Sequence, residues 1–151
     1  MSQVEESIEV NVPIRTAYNQ WTQFESFPAF MDGVERIEQL TDTLTRWHTK
    51  IAGADRTFDA KITQQIPDER IAWTTVGGET EQGGVVTFHR LDENTTKIML
   101  QLDYDPEGFV ENVGDKLGMV KHRIAGDLKR FKEFIEGPRA GSETGAWRGE
   151  I

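Results

Sequence analysis

The stretch from about Glu107 to Ile135 restricts the fold more than any other, because its apolar residues step by three or four without a break. Val110, Val113, Leu117, Val120, Ile124, Leu128, Phe131 and Ile135 fall within a sector of about 80° when wound at about 100° per residue, the width of a stripe buried on one side. A helix of that span is roughly 40 Å long at ~1.5 Å per residue. Such a stripe needs a broad apolar surface to lie against, and the rest of the chain must supply it.

That surface is legible as strands. Ser7–Val12 alternates, with Ile8, Val10 and Val12 to one side. Pro13 then suits the first turn of a helix running to about Trp21, with Ile14, Ala17, Tyr18 and Trp21 on one face, and a second short helix is expected around Ser26–Met31. From Val34 to Tyr104 the pattern is all strand: Val34–Leu40, Leu44–Ile51, Arg56–Ile66, Arg70–Val76, Gly84–Leu91 and Thr96–Tyr104. The links between them, such as Pro67-Asp68-Glu69 and Asp92-Glu93-Asn94, are short and turn-rich, so neighbouring strands must be antiparallel. Phe58, Ala60 and Ile62 oppose Asp59, Lys61 and Thr63; Ile71, Trp73 and Thr75 form another such set, as do Ile98, Leu100, Leu102 and Tyr104. One face is dry and one wet, as in a sheet covered on a single side. The fold class is therefore α+β: a curved antiparallel sheet of about seven strands, two short helices and one long C-terminal helix. Residues 1–136 read as one domain and residues 137–151, rich in glycine and polar groups, as a flexible tail.

Composition narrows the partners. The net charge of -9 repels phosphate backbones, so no nucleic acid is expected. No apolar run approaches the ~20 residues of a membrane span, and integral membrane association is not expected. The basic residues of the last helix (Lys116, Lys121, Arg123, Lys129, Arg130, Lys132) follow an acidic start (Asp105, Glu107, Glu111, Asp115), a solvated gradient that suits the helix dipole. Met1–Glu6 is acidic and unlike a secretory leader, and the chain has no cysteine, so a cytoplasmic location is expected.

The order of elements, with particular residues, resembles a known family. Ile8-Glu9-Val10-Asn11-Val12-Pro13, Ala17-Tyr18, Trp21, Phe24, Phe27-Pro28-Ala29-Phe30-Met31, Arg70-Ile71-Ala72-Trp73, Val86-Thr87-Phe88 and Asp127-Leu128-Lys129-Arg130-Phe131 carry the likeness. The chain resembles the START-like, birch-pollen-allergen-like superfamily, in its polyketide cyclase/dehydrase and coenzyme Q-binding-like branch. The resemblance implies a helix-grip fold with a cavity between the concave sheet and the last helix, holding a lipid, quinone, polyketide or other hydrophobic molecule. It is a likeness of structural residues and assigns no reaction.

No catalytic constellation is legible. His48, His89 and His122 lie far apart and read as surface residues; no metal site, nucleotide fingerprint or other cofactor motif occurs. Asp59 and Asp103 alternate outward. The aromatic set is the stronger lead. Trp21, Phe27, Phe30, Met31, Phe58, Trp73, Phe88 and Tyr104, facing Val113, Leu117 and Val120 of the last helix, are the candidate ligand-binding residues. Thr75 and Gln64 could add polarity, and Lys121, at the border of the stripe, could reach a ligand carboxylate, although its long stem favours snorkelling to water. Gly114, Gly118 and Gly126 each cost about 1 kcal/mol in a helix interior; Gly114 and Gly118, with Ala125, flank the stripe, where the glycines either let helix and sheet approach closely, or allow a bend, or leave space for an occupant. Binding of a small hydrophobic or aromatic molecule is the leading expectation. A cyclase or dehydratase activity is the second, and it needs an acid/base pair inside the cavity. An interaction module is the third, with Trp147 in the tail as an anchor for a partner or a homodimer.

Overall fold

The computed structural model describes residues 2–31, 33–51, 54–78, 82–104 and 116–137. Strand β1 (Ser2–Val10) leads into helix α1 (Ile14–Trp21) and a 3₁₀ helix (Phe24–Ala29). Then come β2 (Val34–Gln39), β3 (Leu44–Ile51), β4 (Ala54–Ile66), β5 (Arg70–Gly78), β6 (Gln82–Asp92) and β7 (Thr95–Tyr104). Helix α2 is described over Lys116–Glu136. The seven strands form one antiparallel sheet in the order β1-β7-β6-β5-β4-β3-β2, a meander whose last strand pairs with the first. This is a helix-grip architecture. The expected tail, with Trp147, and the glycines Gly114 and Gly118 on the expected flank fall on residues whose side chains or backbone lie outside the description.

The second short helix is 3₁₀, and Pro28 inside it gives the reason. A proline ring collides with the carbonyl four residues back in an α-helix and removes one of its hydrogen bonds, so the chain winds tighter for one short piece. Turns follow their residues too. Asp68 adopts φ 60°, a left-handed conformation aspartate tolerates, and the Glu69 N–H closes the turn on the Ile66 carbonyl at 3.0 Å. In the β6–β7 turn the Asn94 N–H donates to the Asp92 side chain at 2.8 Å.

The β4–β5 ladder has two bulges: Val76 is the extra residue on β5 opposite Asp59 and Ala60, and Thr63 is the extra residue on β4 between Ile62 and Gln64. The second shifts the alternation by one residue, because an extra residue on one strand turns everything after it to the opposite face. Gln65 rather than Gln64 is therefore buried, and its amide Nε2 donates to the Tyr18 hydroxyl at 3.1 Å. This bond pins α1 to the sheet and satisfies two polar groups that would be costly to bury alone.

Helix α2 runs along β1, with Lys121 near Glu6 and Lys132 on Glu9, and its last turns also meet Phe30 at the end of the 3₁₀ segment. Ile124, Leu128, Phe131 and Ile135 of the predicted stripe are all buried. Arg130 Nε donates to the Phe30 carbonyl at 2.9 Å. At the helix end, Lys132 Nζ donates to the Glu9 carbonyl at 2.9 Å and the Asn11 N–H to the Glu136 carboxylate at 2.7 Å, with Lys132 and Glu136 2.7 Å apart.

Burial alone would raise the Glu136 carboxyl, but donation from Lys132 and from the Asn11 N–H outweighs it and holds the group below the usual carboxylate range. A carboxyl whose titration is lowered on folding contributes stability that is full above its unfolded value and lost as pH falls through the folded one. Glu136→Gln is therefore expected to cost about 0.5 kcal/mol at neutral pH, after allowing for solvent screening, and progressively less in acid. Urea unfolding of both chains across pH tests this; a gap that stays constant into acid removes the clamp from the account.

Candidate functional site

The concave face is filled unevenly. Around α1 and the 3₁₀ helix the aromatic rings form a dense plug: Trp21 meets Phe131 at 4.9 Å, Phe30 meets Phe131 at 5.0 Å, and Phe27 meets Trp21 at 5.6 Å, mostly edge to face. Beyond this plug a cavity of about 120 Å³ opens between the sheet and α2.

Strand alternation sets its walls. Thr45, Trp47 and Thr49 come from β3, Phe58, Ala60 and Ile62 from β4, Ile71 and Trp73 from β5, and Leu100 and Leu102 from β7. Trp21, Phe24, Phe27, Met31 and Val34 close one side, and Arg123, Ile124, Asp127 and Leu128 of α2 form the lid, with Gln82 on β6 also reaching the space. Trp47 stacks on Phe58, with centroids 5.8 Å apart and planes 13° from parallel. Its indole N–H is already used on the Thr45 hydroxyl at 2.9 Å, and the Thr45 and Thr49 hydroxyls donate to the Ala60 and Arg56 carbonyls, each at 3.3 Å. These β3 donors are spent on the sheet, and the surface the strands turn toward the cavity is almost wholly hydrocarbon.

Trp73 owes its position to a glycine across the ladder. Gly84 pairs with it, and a Cβ there would lie 2.8 Å from the indole Cζ2 and 2.7 Å from the Gln101 carbonyl oxygen. Only glycine lets the indole lie this close to β6. Gly33, at φ 83°, does the same for the lid: a Cβ there would collide with the Arg123 guanidinium and lie 2.9 Å from the Lys50 carbonyl oxygen.

Of the residues expected on the wall, Trp21, Phe27, Met31, Phe58 and Trp73 stand there. Phe30 and Phe88 do not. Phe30 packs into the plug, and Phe88 lies edge-on to Tyr18 at 5.7 Å, so both are core. Tyr104 ends β7, and Leu117 and Val120 lie in the first turns of α2, where only the backbone is described; Val113 lies outside the described residues.

Lys121 snorkels to water, and the cation at the cavity is another residue. Lys121 is exposed, 3.8 Å from Glu6 of β1. Arg123 and Asp127 occupy the opposite flank of the stripe and reach the cavity instead. Wound at about 100° per residue they fall roughly 60° and 20° beyond the stripe edge, so a helical wheel marks them as border residues without telling which border faces the sheet. Trp47 was legible by alternation with outward His48.

The histidines stay off the cavity. His48 sits on the outer face 3.7 Å from Glu38, His89 is exposed beside the Thr87 hydroxyl at 3.0 Å, and His122 is exposed. Asp59 faces outward, and a side-chain hydrogen bond from Arg46 at 2.8 Å holds its carboxyl below the usual range. Among the described residues no group of three or more His, Cys, Asp or Glu could hold a metal ion, and no helix is long and apolar enough to cross a membrane.

Residues 10–133 match the family model described as polyketide cyclase / dehydrase and lipid transport. The chain belongs to that family. Within the polyketide cyclase / dehydrase and lipid transport family, it is 68% identical over 151 residues to an uncharacterized 17.2 kDa protein of the melC2-rnhH intergenic region of Streptomyces lincolnensis, covering 100% of this chain and 99% of the relative. A START superfamily protein from Mycobacterium smegmatis superposes with a TM-score of 0.70 at 18% identity, covering 89% of this chain and 94% of that one. The Zhui aromatase/cyclase from Streptomyces sp. R1128 superposes with a TM-score of 0.73 at 16% identity, covering 93% and 99%. These likenesses establish the START-like helix-grip fold, and at such identities they carry the fold alone.

Proposed function

We propose that this protein binds a small, largely apolar molecule in the cavity between the sheet and α2. The observation that carries the reading is a partly open, aromatic-walled space of about 120 Å³ that the described core side chains leave unfilled. Core voids cost stability, so one retained beside a tightly packed plug is accounted for by an occupant. Trp21, Phe27, Met31, Phe58 and Trp73 serve as ligand contacts, together with Trp47.

The tryptophans make the test direct. Trp21, Trp47 and Trp73 all border the cavity, out of four in the chain. A bound apolar ring should shift or quench their emission saturably, and native mass spectrometry should show one ligand mass per chain. A panel of single-ring and two-ring hydrophobes that leaves both signals unchanged ends the proposal.

A cyclase reading has one supporting observation, the Asp127 carboxylate on the cavity wall, whose side chain is 13% exposed. Positioned there, a carboxylate could take a proton from an activated carbon beside a ketone. The family model and the aromatase/cyclase neighbour fit this reading as well as plain binding. Turnover of a poly-β-ketone mimic, slowed in Asp127→Asn, favours it; ligand released unchanged favours binding alone.

A further inference from the structure

Resting on the binding reading above, we propose that the ligand is a flat aromatic molecule rather than an aliphatic one, lying over Ala60 between the indoles of Trp47 and Trp73. The ladder places these three residues. Ala60 pairs with Thr45 on β3; two residues before it Phe58 pairs with Trp47 on β3, and two residues after it Ile62 pairs with Trp73 on β5. Residues two apart on a strand share a face, so Ala60 sits midway on the diagonal from one indole to the other. It is the smallest side chain among the described wall residues. Both indoles face inward and are half-buried, whereas Trp21, Phe24, Phe27 and Phe58 on the same wall are buried. The aromatic surface open to a ligand is therefore chiefly theirs.

Each indole is also preset. Trp47 stacks on Phe58, meets Phe27 edge-on at 5.8 Å, and has its N–H fixed on the Thr45 hydroxyl at 2.9 Å. Trp73 makes no ring contact among the described residues. Its benzo ring fills the space that a side chain at Gly84 would take, so it leans over β6, away from β4, and leaves Ala60 uncovered. Burial of hydrocarbon is worth about the same per unit area for an aromatic or a saturated guest, but a ring meeting a ring in an offset or edge-on geometry gains beyond that. A saturated guest lacks the quadrupole and gains only the area. Little of the difference is lost in ordering walls that already hold their geometry. Because the cavity is partly open, these contacts select a flat aromatic body and leave its length free.

The test weighs toluene against methylcyclohexane on the full chain, by tryptophan emission and headspace gas chromatography. Each affinity is divided by that compound's own transfer from water to hexadecane, which removes the general hydrophobic part. Toluene is expected to keep an advantage of about tenfold, the worth of one or two ring–ring contacts. Trp47→Leu and Trp73→Leu should each cut the advantage, and the double variant should abolish it while methylcyclohexane binds about as before. Equal corrected affinities in the native chain, or an advantage that survives the double variant, overturn the proposal, while binding of either compound leaves the cavity reading standing. If neither compound binds, the cavity reading falls with it. The native-chain comparison needs no variant, so a misfolded substitution cannot mask the answer.

Discussion

Phe131→Ala should lower the free energy of unfolding by about 3–5 kcal/mol, a large part of the 5–15 kcal/mol typical of a domain. Phe131 is fully buried and touches both Trp21 and Phe30, so its ring joins α2, α1 and the 3₁₀ segment at one point. Removing it strips contacts from all three, and the surrounding rings are too rigid to collapse into the gap. Denaturant unfolding measures the cost. The effect should be non-additive with Phe30→Ala, because the two rings share one interface. A loss below about 1.5 kcal/mol would mean that the plug relaxes, and the contrast between packed plug and open cavity would disappear.

Ala60→Phe should have the opposite character: binding collapses while the fold persists. Ala60 is buried on the cavity wall at the centre of β4. A ring placed there gains ~1.5–3 kcal/mol of burial, set against ~1–3 kcal/mol of strain, so stability should change by no more than about 1.5 kcal/mol. The same ring occupies the ligand's space, and affinity for toluene should fall about a hundredfold or more. Lys61→Ala, one residue along on the outer face, should leave affinity untouched. Should Ala60→Phe bind as the native chain does, the ligand sits elsewhere.

The elements were readable because each follows a local rule. The α2 stripe, the alternation in β4, β5 and β7, and the turn residues at 67–69 and 92–94 need no knowledge of the rest of the chain. Positions set by two elements together were not readable. Periodicity puts Phe30 and Phe88 on the inner side, and they are there, but whether an inward ring borders a void depends on what the facing element brings. The bulge after Ile62 moved the buried glutamine from 64 to 65, a shift that strict alternation cannot register. Arg123 and Lys121 lie on opposite borders of the same stripe. Which border meets the cavity follows from the roll of α2, and that roll is fixed by Arg130, Lys132 and Glu136 holding Phe30, Glu9 and Asn11.

The pairing of β1 with β7 joins the first strand of the sequence to the last, at one edge of the sheet, with Ser2 opposite Tyr104 and Val10 opposite Thr96. During synthesis the first strand emerges from the ribosome with no partner until nearly a hundred further residues have followed. Hairpins from β2 to β7 close over short loops and fold early; the N-terminal strand joins last, at the entropic cost of a long loop. Until it does, the free edge of β7 is open to a strand from another chain, so kinetic competition from aggregation is concentrated there rather than at the cavity.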